Sequence, residues 1–232
     1  MKKSQRWKEG AALRAALGRL AAKRRHFVHA GKDLVTSCAG SIFPADIFFI
    51  ATCNRALQNF DAFQMAMKAD FFSTSMILLR VQLDSVLRGY GLTQTADPHE
   101  TANAILNGAK LTKLKDKNGQ PMTDANLVKA FCGIAEVNKS IEHIYGLTSG
   151  YVHLSGAAIH NVVSKSKKLP SGARGIYIGA VEPEVPMLAK LQAVNAFEKV
   201  TDVIFEMVRQ WSSVRASFGD EEALIARYGP KK

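Results

Sequence analysis

Apolar residues recur along this chain at the 3.6-residue period of an amphipathic helix, and no set of alternating segments exists from which a sheet could be built. The first periodic stretch runs from about Ser4 to His29 and is expected to stop at Gly31. Its apolar positions, Leu13, Leu17, Leu20 and Ala21, form a narrow seam in an otherwise basic helix, which predicts loose packing at an edge. A second helix begins near Pro44, a residue suited to a first helical turn, and continues to about Lys68. Ile47, Phe48, Ile50, Ala51, Leu57, Phe60 and Phe63 are its core candidates. The third, from Asp70 to about Tyr90, is apolar nearly all round and reads as the central helix.

A polar insertion follows. Asp97-Pro98 opens a short helix to about Leu106, and Asn118-Gly119 signals a turn, with a short hairpin near 113–123. Thr123 is a cap for a helix from Asp124 to Val137. A further helix spans about Lys139 to Val163, and a loop with Pro170, Ser171 and Gly172 leads to a short extended piece, Gly175 to Val181. The last long helix, about Pro186 to Ser217, has Leu188, Leu191, Val194, Phe197, Val200, Val203, Ile204 and Val208 on its inner face. The pattern predicts an all-α protein, a helical bundle of four to five long helices with a small polar insertion. Residues 1–30 form a basic N-terminal helix, 31–217 the bundle core and 218–232 a tail or short helix.

Composition narrows the function classes. Hydrophobic residues at 47% and charged residues at 22% describe a globular chain. No apolar run reaches the roughly eighteen residues of a membrane span. Arginines interrupt the N-terminal apolar stretch, so a surface helix is expected there rather than a signal peptide. Three widely spaced cysteines, Cys38, Cys53 and Cys132, argue against a disulfide framework and for a reducing, cytoplasmic compartment. No CxxC, HExxH, Gly-rich phosphate loop or GxSxG elbow occurs, so neither metal nor cofactor is expected, and ATPase and dinucleotide chemistry read poorly. The net charge of +11 favours polyanionic partners. The basic concentrations nominate Lys23, Arg24, Arg25, Lys113, Lys115, Lys165, Lys167 and Lys168 as nucleic-acid contacts, RNA favoured. Solubility alone is the plainer account of the same charge.

Two helices carry candidate chemistry. At about 100° per residue, Glu142, Ser149, His153 and His160 fall on one stripe of the 139–163 helix, with Tyr145 at its edge. On the 70–90 helix, Arg80 and Asp84 stand one turn apart and can pair, with Arg88 on the same side. If the stripes face each other, Arg80, Asp84, Tyr145, Ser149 and His153 form one polar cluster. In it His153 is a general base near neutral pH and Arg80 a phosphate clamp. Asp84 orients either one, and Tyr145 stacks on a base. The competing account is a buried network that fixes helix register. Glu142 and His160 read as structural or solvated, and His26, His29, His99 and His143 as surface residues.

The segments SMILLRVQLDSVLRGYGL and IYGLTSGYVHLSGAAIHN resemble a group of prokaryotic helical proteins of unknown function, loosely similar to HEPN-like domains. That resemblance implies a helical toxin–antitoxin or phage-defence protein. Arg80 and Asp84 would match its arginine–acid pair, and Tyr145, Ser149 and His153 its later stripe. The ribonuclease signature of HEPN domains places arginine, a polar residue and histidine on one helix. Here Ser149 stands four before His153, and Arg80 is on another helix. The leading expectation is an RNA-directed protein acting as a metal-independent endoribonuclease. The alternative is a non-catalytic basic module that binds nucleic acid or a protein, and a third reading is a pocket for a phosphorylated metabolite. No membrane partner is expected, and a homodimer is left open.

Overall fold

The computed structural model describes residues 3–134, 139–153, 171, 179–217 and 221–229. His160, Lys165, Lys167, Lys168 and the second half of the predicted 139–163 helix lie outside these residues. The chain is all-α: α1 (Lys3–Ala22), α2 (Arg24–Ser37), α3 (Pro44–Lys68), α4 (Phe72–Thr93), α5 (Pro98–Leu106), α6 (Asp124–Cys132), α7 (Lys139–Val152), α8 (Met187–Ser217) and α9 (Glu221–Tyr228). Among the described residues no strand forms, and no helix is long and apolar enough to cross a membrane.

α4 is central, as its all-round apolarity predicts; it packs against α3, α8 and α7 and also meets α5 and α6. Aromatic rings bind α2, α3 and α8 together. Phe63 stacks on Phe197 at 3.9 Å, Phe49 on Trp211 at 4.9 Å, and Phe27 meets Phe60 and Phe205 edge-on. Such pairs contribute about 0.5–1.5 kcal/mol each beyond the area they bury. On α3 the inward positions are Phe49, Cys53, Ala56, Phe60 and Phe63, whereas the predicted core residues Ile47 and Ala51 face solvent.

The N-terminal region differs most from expectation. One helix becomes two, joined at Lys23, where helical backbone tightens into i→i+3 bonds (Lys23 N–H to Leu20 O and His26 N–H to Lys23 O, both 2.9 Å). α2 runs through Gly31 to Ser37, and the chain then turns at Ala39 and Gly40, both with positive φ. Neither helix packs loosely: Ala16, Leu20, Phe27 and Leu34 are buried in the main core, with α1 and α2 both laid along α8. The seam at 13, 17, 20, 27 and 34 is narrow but deep.

The insertion forms no hairpin ladder. A single antiparallel bridge joins Lys115 and Pro121. The Asp116 carboxylate accepts the N–H groups of Asn118 (2.9 Å) and Gln120 (2.8 Å), Gly119 supplies φ +79°, and Pro121 has no N–H to extend pairing. Lys117 N–H to Gln94 O (2.9 Å) ties the turn to the end of α4.

Polar side chains are built into the core in enclosed layers. Asn59 donates to Gln82 (2.9 Å), which donates to Thr201 (3.3 Å), linking α3, α4 and α8. Between α3 and α4, Asp70 adopts φ +60°, and its carboxylate pairs with Lys190, which is buried where the pattern on α8 suggested Leu188, an exposed residue. Glu182 accepts from Ser73 N–H and hydroxyl beside it. The most enclosed layer lies at the start of α3. Asp46, 0% exposed, accepts from Phe43 N–H (2.9 Å), Trp211 Nε1 (2.9 Å) and Arg215 Nε (3.2 Å), while Arg215 also donates to Ser41 O (2.8 Å). His99, expected at the surface, is buried against this layer; its Nδ1 accepts from Ala45 N–H (3.3 Å), with the rings of Phe43, Trp211 and Tyr228 around it. α9 closes the end: Tyr228 donates its hydroxyl to Asp97 (2.5 Å), and Arg227 pairs with Asp97 and Glu100.

Candidate functional site

The two predicted stripes belong to helices that pack together, α4 and α7. Ile141 and Ile144 are buried on α7, with Thr148 below them donating to Ile144 O at 2.6 Å. That seating carries Tyr145 to α4, where the Arg80 guanidinium lies 4.3 Å above its ring. Arg80 pairs with Asp84 one turn on. The expected arginine–acid–tyrosine core is therefore assembled between the helices.

The remaining members are arranged differently. Ser149 returns its hydroxyl to Tyr145 O (2.7 Å), a bond internal to α7. His153 stands just past the end of α7, exposed, its backbone N–H reaching Ser149 O at 3.3 Å. Among the described residues its imidazole makes no hydrogen bond or ion pair with Arg80 or Asp84. Glu142 and His143 are exposed.

A residue outside the predicted set completes the cluster. Thr123 caps α6 by accepting from Asn126 N–H (3.4 Å), which places Asp124 in the first turn. One Asp124 oxygen lies 3.3 Å from Arg80 Nη2 and the other 2.5 Å from Arg88 Nη2. Arg80 is nearly enclosed, its side chain 9% exposed; Arg88 at 25% and Asp124 at 31% reach solvent. Two arginines and two aspartates leave the cluster neutral. Arg88 Nη1 is nonetheless buried without a hydrogen-bond partner among the described residues. The only sequence signal for Asp124 was its place after a capping threonine, which reads as helix chemistry.

The predicted nucleic-acid contacts separate into engaged and free charges. Lys23 pairs with Asp202 (2.7 Å) and Glu198 (3.4 Å), and Arg24 with Asp61 (3.0 Å), in each case clamping α1 or α2 to a neighbour. Arg25, Lys113 and Lys115 are exposed, and no ion pair holds them among the described residues; Lys110 and Lys117 extend the row on the insertion.

A groove of about 570 Å³ opens between the end of α4, the turn of the same insertion and α6. Tyr90, Gln94, Asp116, Asn118, Gln120, Asn126 and Lys129 supply its polar lining. Tyr90 is half-buried, edge-on to Phe131 at 5.2 Å, and burial together with Asp116 raises its phenol above the ordinary tyrosine range. A second groove, about 530 Å³, lies between α2 and α8, with His26, His29, Asp33 and Arg209 at its rim and Phe205 in its wall. Comparisons of this chain with protein-family models, with curated proteins and with solved structures find no match.

Proposed function

We propose that this chain is a helical module that binds single-stranded nucleic acid, RNA favoured, without cleaving it. The observation that carries this reading is the set of exposed lysines Lys110, Lys113, Lys115 and Lys117 on the same insertion whose turn, at Asn118 and Gln120, walls an amide-lined groove with Tyr90 in it. Lysines track phosphates. Side-chain amides offer paired donors and acceptors to base edges. A ring at the groove wall suits an unstacked base. Catalysis is the weaker half of the sequence reading, because His153 makes no hydrogen bond or ion pair with Arg80 or Asp84, and Arg80 is held by Asp84 and Asp124 rather than by a base. A cytoplasmic setting agrees with cysteines held as free thiols, Cys38 and Cys53 buried among them.

Titration of the chain with a fluorescent single-stranded RNA, at several salt concentrations, tests the proposal. Affinity is expected to fall about tenfold or more between roughly 50 and 200 mM salt. Replacing Lys113 and Lys115 with Glu should flatten that dependence while the melting temperature holds. The RNA should be recovered intact. Binding indifferent to salt overturns the reading, and cleavage lost in His153→Ala would restore the ribonuclease.

A further inference from the structure

Arg80 and Arg88 stand two turns apart on one side of α4, about 12 Å along its axis, and a single carboxylate from another helix spans them. One oxygen of Asp124 goes to each guanidinium. That is the contact a phosphate makes with two arginines, one oxygen to each. The cluster also holds a donor that the carboxylate leaves over. Arg88 Nη1 is buried without a hydrogen-bond partner among the described residues, and a tetrahedral anion has a further oxygen to offer it. Asp84 keeps Arg80 oriented from below, and the Tyr145 ring fixes the plane of its guanidinium.

We infer that Arg80 and Arg88 form a phosphate-binding clamp, and that Asp124 occupies it as an intramolecular stand-in for the phosphate. With Asp124 in place the four charges cancel. With Asp124 withdrawn the clamp carries one net positive charge and opens toward solvent on the side where Arg88 and Asp124 are already partly exposed. Withdrawal needs only the Asp124 side chain and the first turn to move, while Leu127, Val128 and Phe131 keep the rest of α6 in the core. Asp124 is in the first turn of a nine-residue helix, whose cap is a long hydrogen bond. α6 also lines the groove walled by the insertion turn, so an occupant of the groove and an occupant of the clamp act on the same short helix. The clamp's role for RNA rests on the nucleic-acid reading above; its affinity for phosphate does not.

The experiment compares wild type, Asp124→Asn and the double variant Asp124→Asn/Arg88→Gln. Each is titrated with inorganic phosphate and, separately, with a 5′-phosphorylated single-stranded RNA, while the arginine Nε–H resonances are followed by NMR. Asp124→Asn is expected to tighten phosphate binding about tenfold, the worth of one charge-assisted contact, with the Arg88 resonance shifting. The double variant should lose that gain. Equal tightening toward RNA identifies the ligand as a nucleic-acid phosphate; tightening toward inorganic phosphate alone identifies a small phosphorylated molecule and leaves the clamp standing. A folded Asp124→Asn that binds phosphate no better than wild type overturns the clamp, even where salt-sensitive RNA binding persists. If Asp124→Asn does not fold, the melting temperature of wild type decides. A rise with phosphate that Arg88→Gln abolishes supports the clamp, and no rise overturns it.

Discussion

At the start of α3 an aspartate and an arginine, Asp46 and Arg215, meet at 0% and 3% exposure, with every oxygen of the carboxylate committed. Between α4, α6 and α7 the same two residue types meet again, as Arg80, Asp84, Arg88 and Asp124. There the outer members are a quarter to a third exposed, and one guanidinium nitrogen is left over. The first arrangement has no exit. Its ions have exchanged water for fixed partners on three chain segments, so removing one strands the others. The second is bounded by solvent, and its pairs can be traded for other pairs. Enclosure marks the first as a pin that fixes the register of α3 against α8. Incompleteness marks the second as a place where a ligand can enter.

That contrast breaks first at Asp46. Asp46→Ala leaves Arg215 buried and uncompensated and should cost roughly 3–5 kcal/mol in urea unfolding, to the point of non-folding; a loss below about 1 kcal/mol would show that the pin holds little. The next effect is acid sensitivity at His99, which faces Asp46, Asp97, Arg215 and the Tyr228 ring. Burial pushes its pKa below the ordinary value, and Arg215 adds to this, although Asp46 and Asp97 pull the other way. The folded state therefore binds the proton less readily than the unfolded chain. Stability from this group is complete above about pH 6.5 and is lost as pH falls from there through the folded pKa. Melting temperature followed against pH should show the loss in wild type and a smaller one in His99→Gln. The smallest effect belongs to the open cluster. Asp84→Asn should cost under about 1 kcal/mol, because Arg80 keeps Asp124 and Tyr145 and the site is partly hydrated. A cost equal to that of Asp46→Ala would erase the distinction between the two clusters.

Local pattern carried much of this architecture. Pro44 marks the first turn of α3, the apolar run of α4 marks it as central, and the spacing of Tyr145 and Ser149 on α7 against Arg80 and Asp84 on α4 placed two helices side by side. What stayed hidden has a common cause. Asp46 and Arg215 are 169 residues apart, and Lys190 finds Asp70 across 120, so no spacing rule connects either pair. Lys190 looks like a surface lysine until its partner is known. Asp124 looks like part of a helix start. The joint at Lys23 was invisible for another reason: no glycine or proline marks it, and the seven-residue spacing of Leu20, Phe27 and Leu34 runs straight through it. His153 was placed by extending one helical phase beyond Val152, where the described helix ends.

The seating of α1 and α2 on α8 sets the order in which the molecule can be built. Lys23 and Asp202 are 179 residues apart, and Arg19 and Asn195 are 176 apart. During synthesis the first two helices leave the ribosome long before the helix that covers their apolar seam. Docking them is a late, non-local step, and loop closure of that length makes it slow. Until then the seam has only the part of its cover that α3 supplies, with Phe60 against Phe27, and the positive charge around it disfavours association of nascent chains.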